Sequence, residues 1–345
     1  MKTVLSAMYG LAVDLRNRAY DRGRRAVTRA GVPVISVGNI SAGGAGKTPV
    51  VAFLAEWLIA RGASVAVVSR GYRRETTGTV VVSDGRGHLA TPREGGDEPV
   101  MLARRLPELV VIADERRSRG CERAVTNFGA GIILLDDGFQ HRAVYRDMDI
   151  VVVDANEALA EARLLPAGRL REPLSGLRRA DAILLSKCQP GSDIETLRAT
   201  LAGFSDAPVF ATRFVPRTLR RLGEGDDLPL DTLQGLRVGA FSGIGTPEGF
   251  RRTLQEIGIT PVVEQEFRDH FWYRPADMLA LQKAGAAQGV QVWITTEKDA
   301  TRLSDTDVAE KLGELFYLRM EVEFVDGEEE FYALIAARSG WSSGD

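Results

Sequence analysis

A doubly wound α/β fold, with a second and smaller α/β domain after it, is what this sequence predicts. Three observations carry that expectation: short β-branched runs alternate with helical stretches, the runs are apolar throughout, and the rhythm breaks once after residue 210 before resuming. Runs apolar at every position suit a parallel sheet covered on both faces. They are VPVISV (32–37), SVAVVS (64–69), PELVVIA (107–113), GIILLD (131–136), MDIVVVD (148–154) and DAILLSK (181–187). Helices are expected between them at 49–62 and 115–129.

FATRFVPRTLRRLGEGDDLP (210–229) reads as an extended connector ending in a polar, Gly/Asp-rich linker. A second series follows, with strands at 236–243, 292–297 and 314–324, and helices at 247–258, 276–289 and 331–340. The expected organisation is an N-terminal basic amphipathic helix (1–30), a first domain (31–220) and a second (221–345).

The 345 residues suffice for two cores, and 44% hydrophobic with 26% charged residues excludes disorder, collagen and a disulfide scaffold. Forty-four Lys and Arg against 47 Asp and Glu, a net of -3, argues against a surface built to grip nucleic acid. Cys121 and Cys188 lack metal-ligand spacing and read as reduced residues in or near strands. No apolar run reaches the roughly 20 residues that span a bilayer. The N-terminus shows no small-residue cleavage site behind a long apolar segment, so a cytoplasmic location is expected.

SVGNISAGGAGKTPVV (36–51) is a strand, a Gly-rich turn and a helix start. In that context the backbone of Ser41, Ala42, Gly43, Gly44, Ala45 and Gly46 forms a phosphate cradle at a helix N-terminus. Lys47 reaches the outer phosphates and the Thr48 hydroxyl is a Mg²⁺ ligand. Ser41 stands where G-x-x-x-x-G-K-[ST] has its first Gly. LLDDGFQHR (134–142) ends an apolar strand in two acids: Asp136, at the strand end, is the best-placed carboxylate for Mg²⁺, and Asp137 either shares that task or orients the substrate. In EGGDEPVML (94–102), Asp97 has the look of a helix N-cap, or of the base that accepts a hydroxyl proton in a phosphoryl transfer. Of three histidines, His88 lies in a polar hairpin-like stretch, whereas His141 and His270 sit in polar motifs.

Those segments, with SRGYRR (69–74), LLPAGRLREPL (164–174), FSGIGTPEGF (241–250), FRDHFWY (267–273) and TTEKDATRL (295–303), resemble in order the tetraacyldisaccharide 4'-kinases. These are the lipid A 4'-kinases of Gram-negative bacteria, and the resemblance runs from about residue 30 to 305. It implies a P-loop NTPase-like first domain, ATP and Mg²⁺ as cofactors, and an acylated glucosamine disaccharide 1-phosphate as acceptor. It implies work at the cytoplasmic face of the inner membrane, Asp97 as base paired with His270, and domain closure as a step. Thr48, Asp136 and Asp137 become the metal set. Arg70, Tyr72, Arg117, Gln140, His141 and Arg171 become candidates for holding substrate or its phosphates. Many members have PAGPLREP where this chain has PAGRLREP, so Arg169 adds a charge there.

Residues 1–30 carry seven cations against two carboxylates, a local net of +5 that leaves -8 for the rest. Val4, Leu5, Met8, Leu11, Ala12 and Leu15 recur at helical spacing, so this helix either meets an anionic membrane surface or packs on the protein's own core. No nucleic acid and no obligate protein partner are expected. The alternative to a kinase is a P-loop GTPase or metallochaperone-type NTPase. Against it, Ser186-Lys187-Cys188-Gln189 lacks the Asp of a guanine-reading N-K-x-D.

Overall fold

The computed structural model describes residues 2–159, 162–223, 226–304 and 306–340. It divides into two units, Met1–Arg213 with Val322–Asp345, and Phe214–Glu321.

The first unit begins with α1 (Lys2–Asp21), β1 (Val34–Gly38), α2 (Lys47–Ile59), β2 (Val65–Ser69) and β3 (Val80–Asp84). It continues through α3 (Pro92–Gly95), α4 (Asp97–Arg105), β4 (Val110–Ala113), α5 (Arg117–Phe128), β5 (Ile132–Asp136) and β6 (Met148–Asp154). Then come β7 (Ala182–Ser186), α6 (Ile194–Ala202) and the start of β8 (Val209–Arg221). Its strand order is β8-β7-β6-β1-β5-β2-β4-β3. The pairs are parallel except β3 on β4. The chain leaves β1 toward β2, later fills the gap with β5, and crosses to β6 on the other side. Strand order therefore reverses at β1, and the carboxyl ends of β1 and β5 flank the crevice where such sheets take ligands. This is a P-loop NTPase-like architecture. β1, β2, β5 and β7 are buried at every position, as continuous apolar runs require.

The second unit contains β9 (Asp227–Leu228), β10 (Val238–Ser242), α7 (Pro247–Glu256), β11 (Val263–Glu266), α8 (Pro275–Gln288), β12 (Val292–Thr296) and α9 (Glu297–Leu303). β13 (Leu315–Phe324) follows, and the order is β11-β10-β12-β13-β8. Its cores gather Leu219, Val238, Leu254, Ile294 and Phe316 in one cluster, and Phe241, Tyr273, Met278 and Trp293 in another.

Two expectations differ from what is seen. The stretch read as a connector is strand β8 through residue 221, pairing with β7 at Val209–Ala211 and with β9 at Leu219 and Arg220. It carries four arginines and a proline, and most of its positions from 213 on are only half-buried, which hides a strand behind a loop-like composition. Residues 224 and 225 of the linker lie outside the described residues. The final helix, α10 (Glu328–Ser339), packs in the first unit rather than ending the second. Its partners are the cause: Phe331 meets Phe210 edge-on at 5.3 Å, and Tyr332 stacks on Trp57 of α2 at 4.6 Å.

α1 packs by its polar face. Ser6, Val13 and Asn17 are its buried residues. Ser6 Oγ donates to the Leu164 carbonyl at 2.9 Å and accepts from the Ala167 amide at 2.9 Å. Tyr9 Oη donates to the Arg171 carbonyl at 2.8 Å, and Asn17 Nδ2 to Glu172 at 3.2 Å. The apolar stripe points outward, with Val4, Leu5, Met8, Leu11 and Leu15 between 46% and 64% exposed. Packing of that stripe on the protein's own core is thus not the arrangement found.

Candidate active site

The loop after β1 is shaped by glycines. Gly46, at φ 85°, turns the chain into α2 in a left-handed conformation that costs a side chain energy. Gly38 has no room for more, because a Cβ there would come within 2.7 Å of the Phe139 amide. Ser41 needs no such freedom. It is not among the positive-φ residues, its Oγ donates to Glu157 at 2.7 Å, and its backbone bridges Leu170. Lys47 Nζ donates to Asn39 Oδ1 at 3.2 Å and lies 3.5 Å from Asp137 Oδ1, while Thr48 is buried beside it on α2.

Val37 pairs with Asp136, so the β5 acids lie against the start of the phosphate loop. Asp136 is 2% exposed; its Oδ2 accepts from Ser69 Oγ at 3.3 Å, and its Oδ1 has no hydrogen-bond partner. Burial, then the negative charges of Glu98 and Asp137, push its carboxyl up to about 7 against the pull of Lys47 and Arg117. A buried carboxylate oxygen with no donor, crowded by other acids, suits a divalent cation, so Asp136 with Thr48 nearby fits Mg²⁺. Asp137 sits differently. Burial would raise it, but Lys47 and Arg171 outweigh that and hold its carboxyl down at about 2. Arg171 Nη1 donates to Asp137 Oδ1 at 2.6 Å and to Asn39 Oδ1 at 3.2 Å. Asp137 is the counter-charge of the cations; Asp136 is the acid with an open oxygen.

The other expected contacts divide by depth. Arg117 is buried and donates to the Asp136 carbonyl at 3.4 Å. Burial, with Arg117, Arg146 and Arg70 nearby, pushes His141 down to about 4, so it is a neutral imidazole at pH 7. Gln140 Nε2 donates to the Asn39 carbonyl and to Glu172, both at 2.8 Å, and so steadies the loop entrance. Arg70 and Tyr72 are exposed.

Asp97 is 4% exposed at the first residue of α4. The capping position belongs instead to Gly96, at φ 95°, a conformation that favours glycine, so the N-cap expectation for Asp97 is corrected. A Cβ on Gly96 would meet Gly71 Cα at 3.0 Å, and one on Gly71 would meet the Gly95 carbonyl at 2.8 Å. Two glycine turns in contact thus bring the 69–74 and 96–105 segments together. Asp97 Oδ1 accepts from the Glu98 amide at 3.0 Å.

His270 belongs to the second unit, with φ 57° and its Nε2 3.8 Å from Asp269. Its amide donates to the Gly243 carbonyl at 3.1 Å. Asp299, fully buried, holds this region together. It accepts from Tyr273 Oη at 2.5 Å, Thr296 Oγ1 at 2.6 Å and the Gly243 amide at 3.0 Å, with Arg302 at 3.3 Å. Arg302 in turn donates to the carbonyls of Gly243 and Phe271. The 241–250, 267–273 and 295–303 segments are therefore one hydrogen-bonded cluster. Asn39, Ser69, Glu98, Glu172, Asp299 and Arg302 were not picked out from the sequence. Only Asp299 carried a local signal, three residues after the helix-capping Thr296.

The family model described as LpxK, tetraacyldisaccharide-1-P 4'-kinase, matches residues 2–339. The chain is 40% identical over 332 residues to the tetraacyldisaccharide 4'-kinase of Anaeromyxobacter dehalogenans (strain 2CP-C), across 96% of this chain and 88% of that one. It is 41% identical over 331 residues to the corresponding protein of Chlorobaculum parvum (strain DSM 263 / NCIMB 8327), across 94% and 91%. A crystal structure of LpxK from Aquifex aeolicus in complex with ATP superimposes with a TM-score of 0.79 at 33% identity, covering 97% of each chain. The GTPase or metallochaperone alternative finds no support in these likenesses. A phosphate loop, a strand-end acid with an open oxygen and a match over nearly the whole chain place this protein in the tetraacyldisaccharide-1-phosphate 4'-kinase family.

Proposed function

We propose that this protein transfers the γ-phosphoryl group of ATP to the 4'-hydroxyl of a tetraacylated glucosamine disaccharide 1-phosphate, a step of lipid A biosynthesis. The observation that carries the proposal is Lys47 at the phosphate loop, 3.5 Å from Asp137, next to an Asp136 whose buried Oδ1 has no hydrogen-bond partner. The loop amides and Lys47 hold the triphosphate; Lys47 exchanges its contact with Asp137 for phosphate oxygens. Asp136 and Thr48, with Asp137 beside them, would hold Mg²⁺, which neutralises charge on the outer phosphates when bound. Asp97 accepts the 4'-hydroxyl proton as that oxygen bonds to the γ-phosphorus and the bond to ADP breaks. His270 orients Asp97 or the acceptor. Arg70, Arg117 and Arg171 supply positive charge, while Tyr72, Gln140 and the neutral His141 supply hydrogen bonds. The test is label transfer from γ-labelled ATP to the purified disaccharide 1-phosphate in mixed micelles with Mg²⁺. Phosphate appearing at the 4' position supports the assignment; label staying on the nucleotide, or a requirement for GTP, overturns it.

The acceptor carries acyl chains, so the same proposal places the protein peripherally at the cytoplasmic face of the inner membrane. No helix among the described residues is long and apolar enough to cross a membrane. α1 offers the means of contact: an outward apolar stripe, with a net +5 over residues 1–30. Each cation near an anionic surface contributes about 1 kcal/mol. Replacing Leu5, Met8, Leu11 and Leu15 together by Ser is expected to lower binding to vesicles containing anionic lipid by at least tenfold, on the order of one or two fully buried leucines. The thermal midpoint should hold, because exposed side chains contribute little to the fold. Sedimentation with vesicles checks this, and undiminished binding by a folded variant would remove α1 from the membrane contact.

A further inference from the structure

We infer that Arg169 is a phosphate-contacting residue of this chain's nucleotide site, a cation held on the loop in addition to Lys47. The inference rests on the kinase proposal above. Arg169 is fastened to residue 42 in both directions: its Nε donates to the Ala42 carbonyl at 2.9 Å, and its carbonyl accepts from the Ala42 amide at 2.6 Å. Beyond that point its guanidinium lies against Gly43, where a Cβ would collide with Nη2. A loop residue with any side chain would push the guanidinium away, so Gly43 is what admits it.

Leu170, between Arg169 and Arg171, is buried and bridged to Ser41. The arginines on either side of it both meet the loop region, Arg169 at Ala42 and Arg171 at Asn39. Their charge balance differs. Arg171 and Lys47 are both answered by Asp137, at 2.6 and 3.5 Å. Among the described residues no carboxylate pairs with Arg169, whose contact is a backbone carbonyl. A planar guanidinium fixed beside an anion cradle, with no carboxylate paired to it among the described residues, is placed to donate its outer N–H groups to phosphate oxygens. A strut for the loop would need only the Ala42 contacts. The guanidinium against Gly43 adds charge where the triphosphate lies.

The test uses the full-length protein with Arg169→Gln and Arg169→Lys, titrated calorimetrically with ATP in the absence of acceptor, alongside steady-state kinetics and thermal melts. Arg169→Gln should weaken ATP binding and raise the KM for ATP by roughly tenfold, the scale of one charge-assisted contact, while kcat changes by less than about threefold. Arg169→Lys should recover part of the loss, and the nucleotide-free melting temperature should be unchanged in both. Unchanged ATP affinity in Arg169→Gln overturns the inference. If the acceptor's KM rises instead, the residue serves the sugar 1-phosphate; if the melting temperature falls alone, it is a strut. Wild-type protein that binds no ATP would overturn the kinase proposal, and this inference with it.

Discussion

Lys47→Ala should lower kcat/KM for phosphoryl transfer by roughly 10³-fold or more, with little change in the thermal midpoint. The scale is that of removing a preorganised charge aimed at a developing anion. Lys47 sits at the helix start after Gly46 and is already aimed into the crevice by Asn39 and Asp137, so it does not have to be recruited. Alanine at this position leaves the loop glycines and the helix intact. Two carboxylates at the end of β5 would then face the triphosphate with one fewer cation between them. Single-turnover transfer of labelled phosphate measures the loss. A variant within tenfold of wild type would show that Lys47 is not the outer-phosphate contact, and the nucleotide site would have to be redrawn.

Asp97→Asn carries the second large effect, a fall in kcat of about 10²- to 10⁴-fold, the usual worth of a general base. Asparagine keeps the oxygen that accepts the Glu98 amide at 3.0 Å, so the first turn of α4 should survive. What is lost is the capacity to take a proton. ATP affinity, measured without acceptor, should therefore stay near the wild-type value while turnover collapses. Weak ATP binding with turnover preserved would return Asp97 to a structural role at the start of its helix.

The parts of this site that were legible in the sequence are the local ones. A strand, a glycine turn and Gly46-Lys47-Thr48 state their geometry within a dozen residues, and Asp136 announces itself by ending an apolar strand. Asn39 was invisible because its role comes from Lys47, Arg171 and Gln140 converging on it, the last 101 positions away. Glu172 is likewise defined by Asn17, Gln140 and Arg179, which lie on separate segments. The difference between Asp136 and Asp137 could not be read either, since neighbouring letters say nothing about which one Arg171 will engage. Of the fold, the parallel strands were plain because burial on both faces leaves an unbroken apolar run. β3 was missed for the opposite reason: it is only half-buried at both ends and closes in Ser83 and Asp84. Charge hid β8, and α10 was misplaced because an amphipathic pattern shows that a helix packs without showing on what.

The placement of α10 bears on how the polypeptide acquires its structure during synthesis. Translation delivers residues 1–213 first, yet Phe53, Trp57 and Phe210 find their aromatic partners only when Phe324, Phe331 and Tyr332 leave the ribosome. The inserted unit, 214–321, emerges complete before those residues do, so it can fold while the first unit is still open along one side. A nascent chain stalled between residues 210 and 324 would present that aromatic surface to solvent. Its dependence on chaperones should be greatest in the interval when most of the protein has been made and its last helix has not.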